Sequence, residues 1–435
     1  MNNRPISAVL ADSSHAETEA SRTLRDKASS LVRPLEQGSA DLSNLPDALL
    51  DLLSNILKPL FSESKSEKLT TSGRKNLVTN DPLPASVTRF AGLFDDDKPQ
   101  VPWKNGWTGC LLLYVLRSYD RIEDVALRRK TLEGQFYLIV PAILHQLDDL
   151  DITSKCSGCS CLEALCDVLR HVESEILRKS GLTDVFVDAL KRDFSMIPTL
   201  TAEKDSLRLF KAMYPAFRSL IKAHFAGKLP KENKEQDMKQ QYLALLLRHQ
   251  LLYSLIHLST GSGSGSTMSV SLSTFLISQI GPLFRDMGIA AVMHLQDVLP
   301  MIRNVISDPF ATSTPELLLA SIKSMQDIVQ VCWPRIRDVW WGECLRGLVA
   351  CWLNVVDEEE DVKEAARKRK LEQVKIEIKM LTCLLNDVVG QSFEQAKSAL
   401  IHEESELATL FDGNLNKTSS NTRAKATKQS LITET

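Results

Sequence analysis

The sequence lacks any excess of positive charge: 52 Lys and Arg stand against 55 Asp and Glu, a formal net charge of −3. A dedicated nucleic-acid binder usually carries a basic surplus or stripe, so no direct nucleic-acid partner is expected. An apolar leader is missing too. The first twenty residues, MNNRPISAVLADSSHAETEA, hold no continuous apolar run of signal-peptide length. The later stretch 242–258 is apolar but interrupted by Arg248, His249 and Gln250, which is too short and too polar for a bilayer span. No membrane association is expected. Cytoplasm and nucleus are the expected locations, and there the nine cysteines remain thiols.

Strand patterns are absent. No segment sustains apolar/polar alternation, and no Asn-Gly or Asp-Gly pair is flanked by two such runs. Catalytic signatures are equally scarce. There is no P-loop, no His-Glu-x-x-His and no Gly-x-Ser-x-Gly. The run GSGSGS at 261–266 has neither the Gly-x-Gly-x-x-Gly spacing nor a preceding strand, so it is no dinucleotide fingerprint. No catalytic residue, no cofactor and no enzymatic activity are expected.

What is present is apolar residues at helical spacing. Hydrophobic residues make up 43% and charged residues 25%, enough to build a substantial core. Leu49, Leu52, Leu53, Ile56, Leu57 and Leu60 share one helical face within 45–61. The same reasoning predicts helices over 110–119, 136–147, 160–172, 184–194, 206–225, 240–258, 270–284, 290–306, 315–331, 338–355 and 363–389. Ser313-Thr314-Pro315-Glu316 is a helix start: a hydroxyl to cap, a proline where its missing N–H costs little, and a carboxylate at the positive helix end.

Prolines suggest a repeat. Pro141, Pro215, Pro300 and Pro334 are each followed by an apolar residue two places on (Ile143, Phe217, Ile302, Ile336) and another six places on (Leu147, Ile221, Ile306, Trp340). Read as helix starts, they place those residues four apart on one face. The intervals are 74, 85 and 34 residues. Helical-pair repeats of the HEAT or armadillo type run about 40–47 residues and the tetratricopeptide type about 34, so the first two intervals fit two repeats each. The expected fold is all-α, a HEAT/armadillo-like α-solenoid of degenerate helical-pair repeats with disordered N- and C-terminal tails. The competing reading is a non-repetitive helical bundle. The expected organisation is a mobile segment 1–30, an N-terminal helical region with irregular loops 31–98, a solenoid core 99–356 with a flexible Gly/Ser loop 260–267, charged helices 357–411 and a disordered tail 412–435.

Four features invite a chemical reading. Cys156, Cys159, Cys161 and Cys166 cluster, but only Cys156-x-x-Cys159 has zinc-knuckle spacing and no second knuckle completes it, so a metal site is disfavoured. Asp148, Asp149 and Asp151 form an acidic turn, which fits helix ends better than acid–base chemistry. Arg367-Lys368-Arg369-Lys370 has the composition of an import signal, but Glu359 with Lys363 and Glu364 with Lys368 favour a self-paired solvated helix. Four of the six tryptophans lie at 333, 340, 341 and 352. Adjacent Trp340 and Trp341 cannot both face one core. Exposed Trp and Arg are typical interface anchors, so Trp333, Arg335, Trp341 and Arg346 are candidate partner-binding residues.

The segments VPAILHQLDDLDITSKCSGC, GLTDVFVDAL, SLRLFKAMYPAF, MHLQDVLPMIRNVISDPFA and CWPRIRDVWWGECLRGLVACW occur in this order over about residues 100–355. Together they resemble the Tel-two-interacting protein two family, in its fungal branch. The matching positions are His294, Asp297, Asp308, Pro309, Trp333, Pro334, Arg335 and Trp352, and the resemblance adds Trp352 and Asp308 to the candidate partner-binding residues. The N-terminal hundred residues and the tail add nothing to the resemblance. The resemblance implies a non-catalytic α-solenoid subunit of the Tel–Tti–Tti (TTT) co-chaperone complex. Its implied partners are the larger Tti subunit, engaged through the C-terminal part, and the Tel subunit. The complex acts with the ninety-kilodalton heat-shock chaperone and its adaptor complex on phosphatidylinositol-3-kinase-related kinases. A different solenoid adaptor, for nuclear transport or as a phosphatase scaffold, is the alternative function.

Overall fold

The structure is a computed structural model that describes residues 4–12, 19–37, 44–61, 103–198, 200–226, 233–260, 269–361 and 364–412. Every regular element among the described residues is helical. The chain divides into two compact units, Met1–Lys239 and Gln240–Thr435. Each is a two-layered stack of helices of the HEAT-like α-solenoid type.

In the first unit, α1 (Ile6–Ala11) and α2 (Glu19–Glu36) precede α3 (Leu45–Asp51). α3 runs through a π-helical turn, Leu52–Leu57, into α4 (Lys58–Phe61). Then come α5 (Thr108–Ser118), α6 (Val125–Asp148), α7 (Ile152–His171), α8 (Ile176–Ser180), α9 (Leu182–Asp193) and α10 (Glu203–His224). α7 packs between α5 and α10 in one layer, while α6 packs against α4 and α9 in the other. The layer is parallel. Arg208 near the start of α10 donates to Thr153 at the start of α7, 3.3 Å away. α6 is antiparallel to α7, because Arg129 near its start donates to the Val172 carbonyl at the end of α7, 2.7 Å. Leu162, Leu165 and Leu169 line the buried face of α7 at helical spacing. Each such side chain contributes about 1.5–3 kcal/mol on leaving water.

The ends of α7 show how local chemistry fixes the turns. Asp151 caps it by accepting the Ser154 N–H at 2.9 Å. At the other end the Ser174 N–H bonds the Leu169 carbonyl at 2.9 Å and the Glu173 N–H bonds that of Arg170 at 3.1 Å. This is a Schellman closure, whose left-handed residue is usually glycine. Here it is Glu173, with φ of 49°, alone among the described non-glycine residues. Its side chain is exposed, so Glu173→Gly removes strain without removing packing. The expected outcome is a gain of about 0.5–1 kcal/mol, read as a higher urea midpoint of the full chain. An unchanged or lower midpoint would refute strain at this corner.

In the second unit α11 (Asn233–Ala244), which begins just before the boundary, passes through a π-helical segment, Leu245–Leu252, into α12 (Tyr253–Thr260). α13 (Val270–Met287) and α14 (Leu295–Ser307) are joined by a 3-10 turn, Gly288–His294. α15 (Pro315–Val331), α16 (Trp333–Arg335), a π-helical turn Ile336–Trp340 and α17 (Trp341–Asp361) follow. α18 (Ala365–Val389), α19 (Gln391–Glu403) and α20 (Ala408–Phe411) close it. α13, α15 and α18 form one layer, with α15 in the middle, and α14 packs on α17 in the other. The first layer is again parallel. Ser324 donates to the Ile277 carbonyl at 2.8 Å, and Arg285, two turns on, pairs with Asp327. Lys370 pairs with Glu316, and Gln326 donates to the Glu377 carboxylate at 2.9 Å.

Several expectations are corrected. Pro141, Pro215 and Pro300 do not start helices; they sit inside α6, α10 and α14, as Pro282 sits inside α13. Of the four repeat-marking prolines, only Pro334 lies at a helix start. An interior proline forfeits one backbone bond and crowds the preceding turn. The helices continue because the residues two and six places on, such as Ile143 and Leu147 or Phe217 and Ile221, are buried and held by packing. Within 1–30 the described residues carry α1 and most of α2. Ala28 and Val32 of α2 are buried, and Glu36 accepts the Ile6 N–H at 2.8 Å. α7 begins eight residues before the expected 160 because Asp151 caps it, so the Cys-Ser-Gly-Cys run is helical. The 62–102 loops, the Gly/Ser run 261–266 and the tail from 413 lie outside the described residues.

Val270–Ser307, not 242–258, is long and apolar enough to cross a membrane by length and composition alone. Its apolarity is used otherwise here. Gly288, at φ 61°, breaks it into α13 and α14, and Leu272, Leu276, Ile280 and Phe284 are buried in the stack.

Candidate functional site

The tryptophan-rich end begins where α15 stops. The Cys332 N–H closes on the Ile328 carbonyl at 2.8 Å, and Pro334 then opens the one-turn helix α16. The π-helical turn that follows admits an extra residue per turn and rotates the chain into α17. Trp333 is left 39% exposed, with the Arg337 guanidinium 5.4 Å from its ring centre. Arg337 is also paired with Asp338 at 3.1 Å. Arg335 is exposed and makes no ion pair among the described residues. Trp340 and Trp341 are both half-buried, which satisfies the geometric bar against both entering one core. One turn into α17, Arg346 is exposed and lies 3.7 Å from Glu343, which Arg303 of α14 also reaches at 3.1 Å.

Trp333, Arg335, Trp341 and Arg346 thus follow one another along the helical run 333–346, each at least partly exposed. The other two candidates are placed differently. Trp352 is 3% exposed, in phase with Leu345, Leu348 and Val355, and lies beneath Lys375 and Lys379 of α18 at 5.8 and 5.3 Å. It is a core residue and cannot anchor a partner. Asp308 is exposed, but its carboxylate caps the next turn by accepting the Phe310 N–H at 2.9 Å. It also sits at the far end of α15, whose 17 residues set it about 25 Å from Trp333.

The other sequence features are absorbed by the fold. Cys156, Cys159, Cys161 and Cys166 are all buried on α7 but point apart. The Cys161 thiol faces α5, 3.7 Å from the Gly109 carbonyl, whereas Cys156 lies in the field of Arg208 and Asp205 on α10. Among the described residues no three Cys, His, Asp or Glu side chains gather as a metal would require. Burial pushes the Cys159 and Cys166 thiols well up, and Cys332, Cys344 and Cys351 to about 12. These are packing thiols rather than nucleophiles. In the acidic turn, Asp148 pairs with Arg192, Asp149 with Lys104 at 2.5 Å, and Asp151 caps α7.

The basic run is paired differently from expectation. Lys363, the expected partner of Glu359, lies outside the described residues. Arg367 bonds Glu358 at 2.6 Å, Lys370 reaches Glu316 on α15, and Glu359 turns to Lys375.

Sequence reasoning missed a buried polar contact in this unit. His294 is fully buried, and its Nδ1 accepts from Arg248 Nε at 3.0 Å, across 46 residues of chain. Asp297 stands 3.7 Å from the same guanidinium. Burial, and then the Arg248 charge, lower the His294 pKa, while Asp297 opposes the shift. The imidazole is thus held neutral. Arg248 reaches it from the π-helical segment Leu245–Leu252, and no local pattern signals that pairing.

No curated protein and no solved structure matches the chain. A sequence model of the Tti2 family matches residues 7–313. That span takes in the N-terminal hundred residues, which the motif resemblance left out, as well as His294, Asp297, Asp308 and Pro309. It stops short of Trp333, Pro334, Arg335 and Trp352. Because the match covers well over half of its length, the chain belongs to the Tti2 family.

Proposed function

We propose that this protein is a non-catalytic scaffold subunit of a TTT co-chaperone complex in the cytoplasm and nucleus. It docks the larger Tti subunit, assembles with the Tel subunit, and helps present phosphatidylinositol-3-kinase-related kinases to the ninety-kilodalton heat-shock chaperone and its adaptor complex. Family membership and the helical-stack fold support a scaffold or adaptor role. The observation that supports the docking assignment is the end of the second unit, where Trp333 is partly open to solvent and Arg335, two residues on, is exposed and pairs with no carboxylate among the described residues. Partly exposed Trp and Arg on a rigid turn are the residue types that dominate binding energy in interfaces.

The test is capture of the purified larger Tti subunit by the full chain carrying Trp333→Ala and Arg335→Ala. Losing both anchors is expected to cost about 2 kcal/mol or more, roughly a thirtyfold weaker affinity. Both side chains are exposed, so thermal unfolding should stay unchanged. Undiminished capture by a folded variant would remove this end as the docking site. Affinity purification from native cells that returned import cargo instead of Tel and Tti subunits would overturn the assignment as a whole.

A further inference from the structure

The corner between α13 and α14 is fastened by the helical run that precedes it in sequence. Gln240 of α11 donates to the Met287 carbonyl at 3.1 Å, where α13 ends. Farther along, inside the π-helical segment Leu245–Leu252, Arg248 donates through Nε to His294 Nδ1 at 3.0 Å, where the 3-10 turn ends. π-helical runs are mostly single turns, and this one covers 8 residues. It buries Leu246, Leu247, Leu251 and Leu252, and through Arg248 it is bonded to the corner.

That bond requires a neutral imidazole. Nδ1 accepts from Arg248, so the ring proton sits on Nε2, which is buried and has no acceptor among the described residues. A second proton has only Nδ1 to go to. It would turn the acceptor into a donor and set two positive groups against each other at 3.0 Å. Asp297 is the carboxylate at hand, 3.7 Å from the guanidinium. Other charged groups on the elements packed around the turn have partners elsewhere. Arg285 of α13 is paired with Asp327 of α15, Arg303 of α14 with Glu343, and Lys323 and Glu316 of α15 with Glu377 and Lys370. Asp286 at the end of α13 and His249 beside Arg248 complete the set, and of all these groups only Arg248 and Asp297 act on the imidazole.

We propose that Arg248, His294 and Asp297 form a proton-operated latch: the neutral imidazole holds the π-helical segment on the corner, and protonation of His294 frees it. Freed, the segment uncovers its four buried leucines just ahead of Tyr253 and Ile256, which already stand 62% and 57% exposed on α12. The sign follows from the surroundings. Burial first, and then the Arg248 charge, lower the His294 pKa in the folded chain. The stability gained from the neutral ring is therefore full above the ordinary histidine value and is lost as pH falls through the lowered one.

Hydrogen exchange of the full chain between about pH 7.5 and about pH 4.5, corrected for intrinsic rates, tests the latch. In the wild type the amides of 245–252 should lose about tenfold or more of their protection on acidification, while those of α15 in the same unit lose less than about twofold. Arg248→Met should show the acid-state exchange of 245–252 already at the upper pH, and since the Arg248 side chain is 42% exposed the unit should stay folded. Asp297→Asn should move the release to lower pH, because Asp297 favours the charged ring. His294→Asn keeps an acceptor for Arg248 without a titrating ring and should abolish the pH response. Should that variant fail to fold, the Arg248 and Asp297 variants decide. The latch is overturned by undiminished protection of 245–252 in acid, by an equal loss in α15, or by wild-type protection of 245–252 in Arg248→Met. It is equally overturned by a release that Asp297→Asn does not lower, or by a pH response that survives in folded His294→Asn.

Discussion

Lys155→Met is expected to destabilise the first unit by about 3–5 kcal/mol, because it removes one partner of a buried ion pair. Lys155 lies in the first turn of α7 and Asp193 is the last residue of α9. Their side chains are each only 6% exposed, with the ammonium 2.7 Å from Asp193 Oδ1 and 2.9 Å from the Leu147 carbonyl. One lysine thus ties α9 to the end of α6. Burial raises the Asp193 pKa, and the attraction of Lys155, the next cause, only partly opposes it. Replacing a buried ion pair by apolar residues of similar volume is often neutral or stabilising, so removing both should be mild. The double variant Lys155→Met with Asp193→Leu should stay within about 1 kcal/mol of wild type or exceed it. A carboxyl whose folded pKa is raised stabilises the fold most when protonated, and that contribution is lost as pH rises through its folded value. The deficit of Lys155→Met should therefore shrink as pH falls towards the carboxylate range, since protonation cancels the orphaned charge. Hydrogen exchange of α7 and α9 at neutral and acidic pH measures both effects. A deficit below about 1 kcal/mol, or one indifferent to pH, would refute the account of a buried pair dominated by desolvation.

That contact was invisible to sequence reading for a physical reason. Lys155 and Asp193 are 38 residues apart, and nothing local distinguishes them from solvated charges. The same holds for Arg248 and His294. By contrast, α15 was legible to the residue, because Thr314, Pro315 and Glu316 place a turn breaker, a preset φ and a dipole partner in sequence. Even there the hydroxyl does not cap; Thr314 Oγ1 donates back to Ala311 instead. The prolines misled because local rules treat them as boundaries, whereas α6, α10 and α14 bury enough surface to run through them. At the candidate site, exposed Trp333 and Arg335 followed from residue type. Trp352 did not, because its burial depends on α18 folding back over it, with Lys379 across the ring.

Phe194→Ala is the second large effect expected, about 3–5 kcal/mol. Phe194 directly follows α9 as its C-cap and is nearly inaccessible to solvent. Its ring meets three aromatic rings of α10: Tyr214 edge-on at 5.4 Å, Phe210 at 5.9 Å and Phe217 at 6.2 Å. Those three share one face of α10, and they bracket Pro215, where the helix forgoes a backbone bond. Phe194 therefore does more than fill volume; it clamps the two halves of α10 across its weakest point. Truncation to alanine leaves a cavity where the ring stood, and the surrounding backbone, already lacking one hydrogen bond, has least to resist opening. Phe194→Leu keeps most of the volume and should cost about 1–2 kcal/mol, the difference reporting the aromatic contacts. Hydrogen exchange should locate the damage. In Phe194→Ala the amides of α10 beyond Pro215 should lose protection first, with those of α5 following only on unfolding of the unit. If α10 opened no sooner than α5, its continuity would rest on the backbone bonds flanking Pro215 and not on the aromatic clamp.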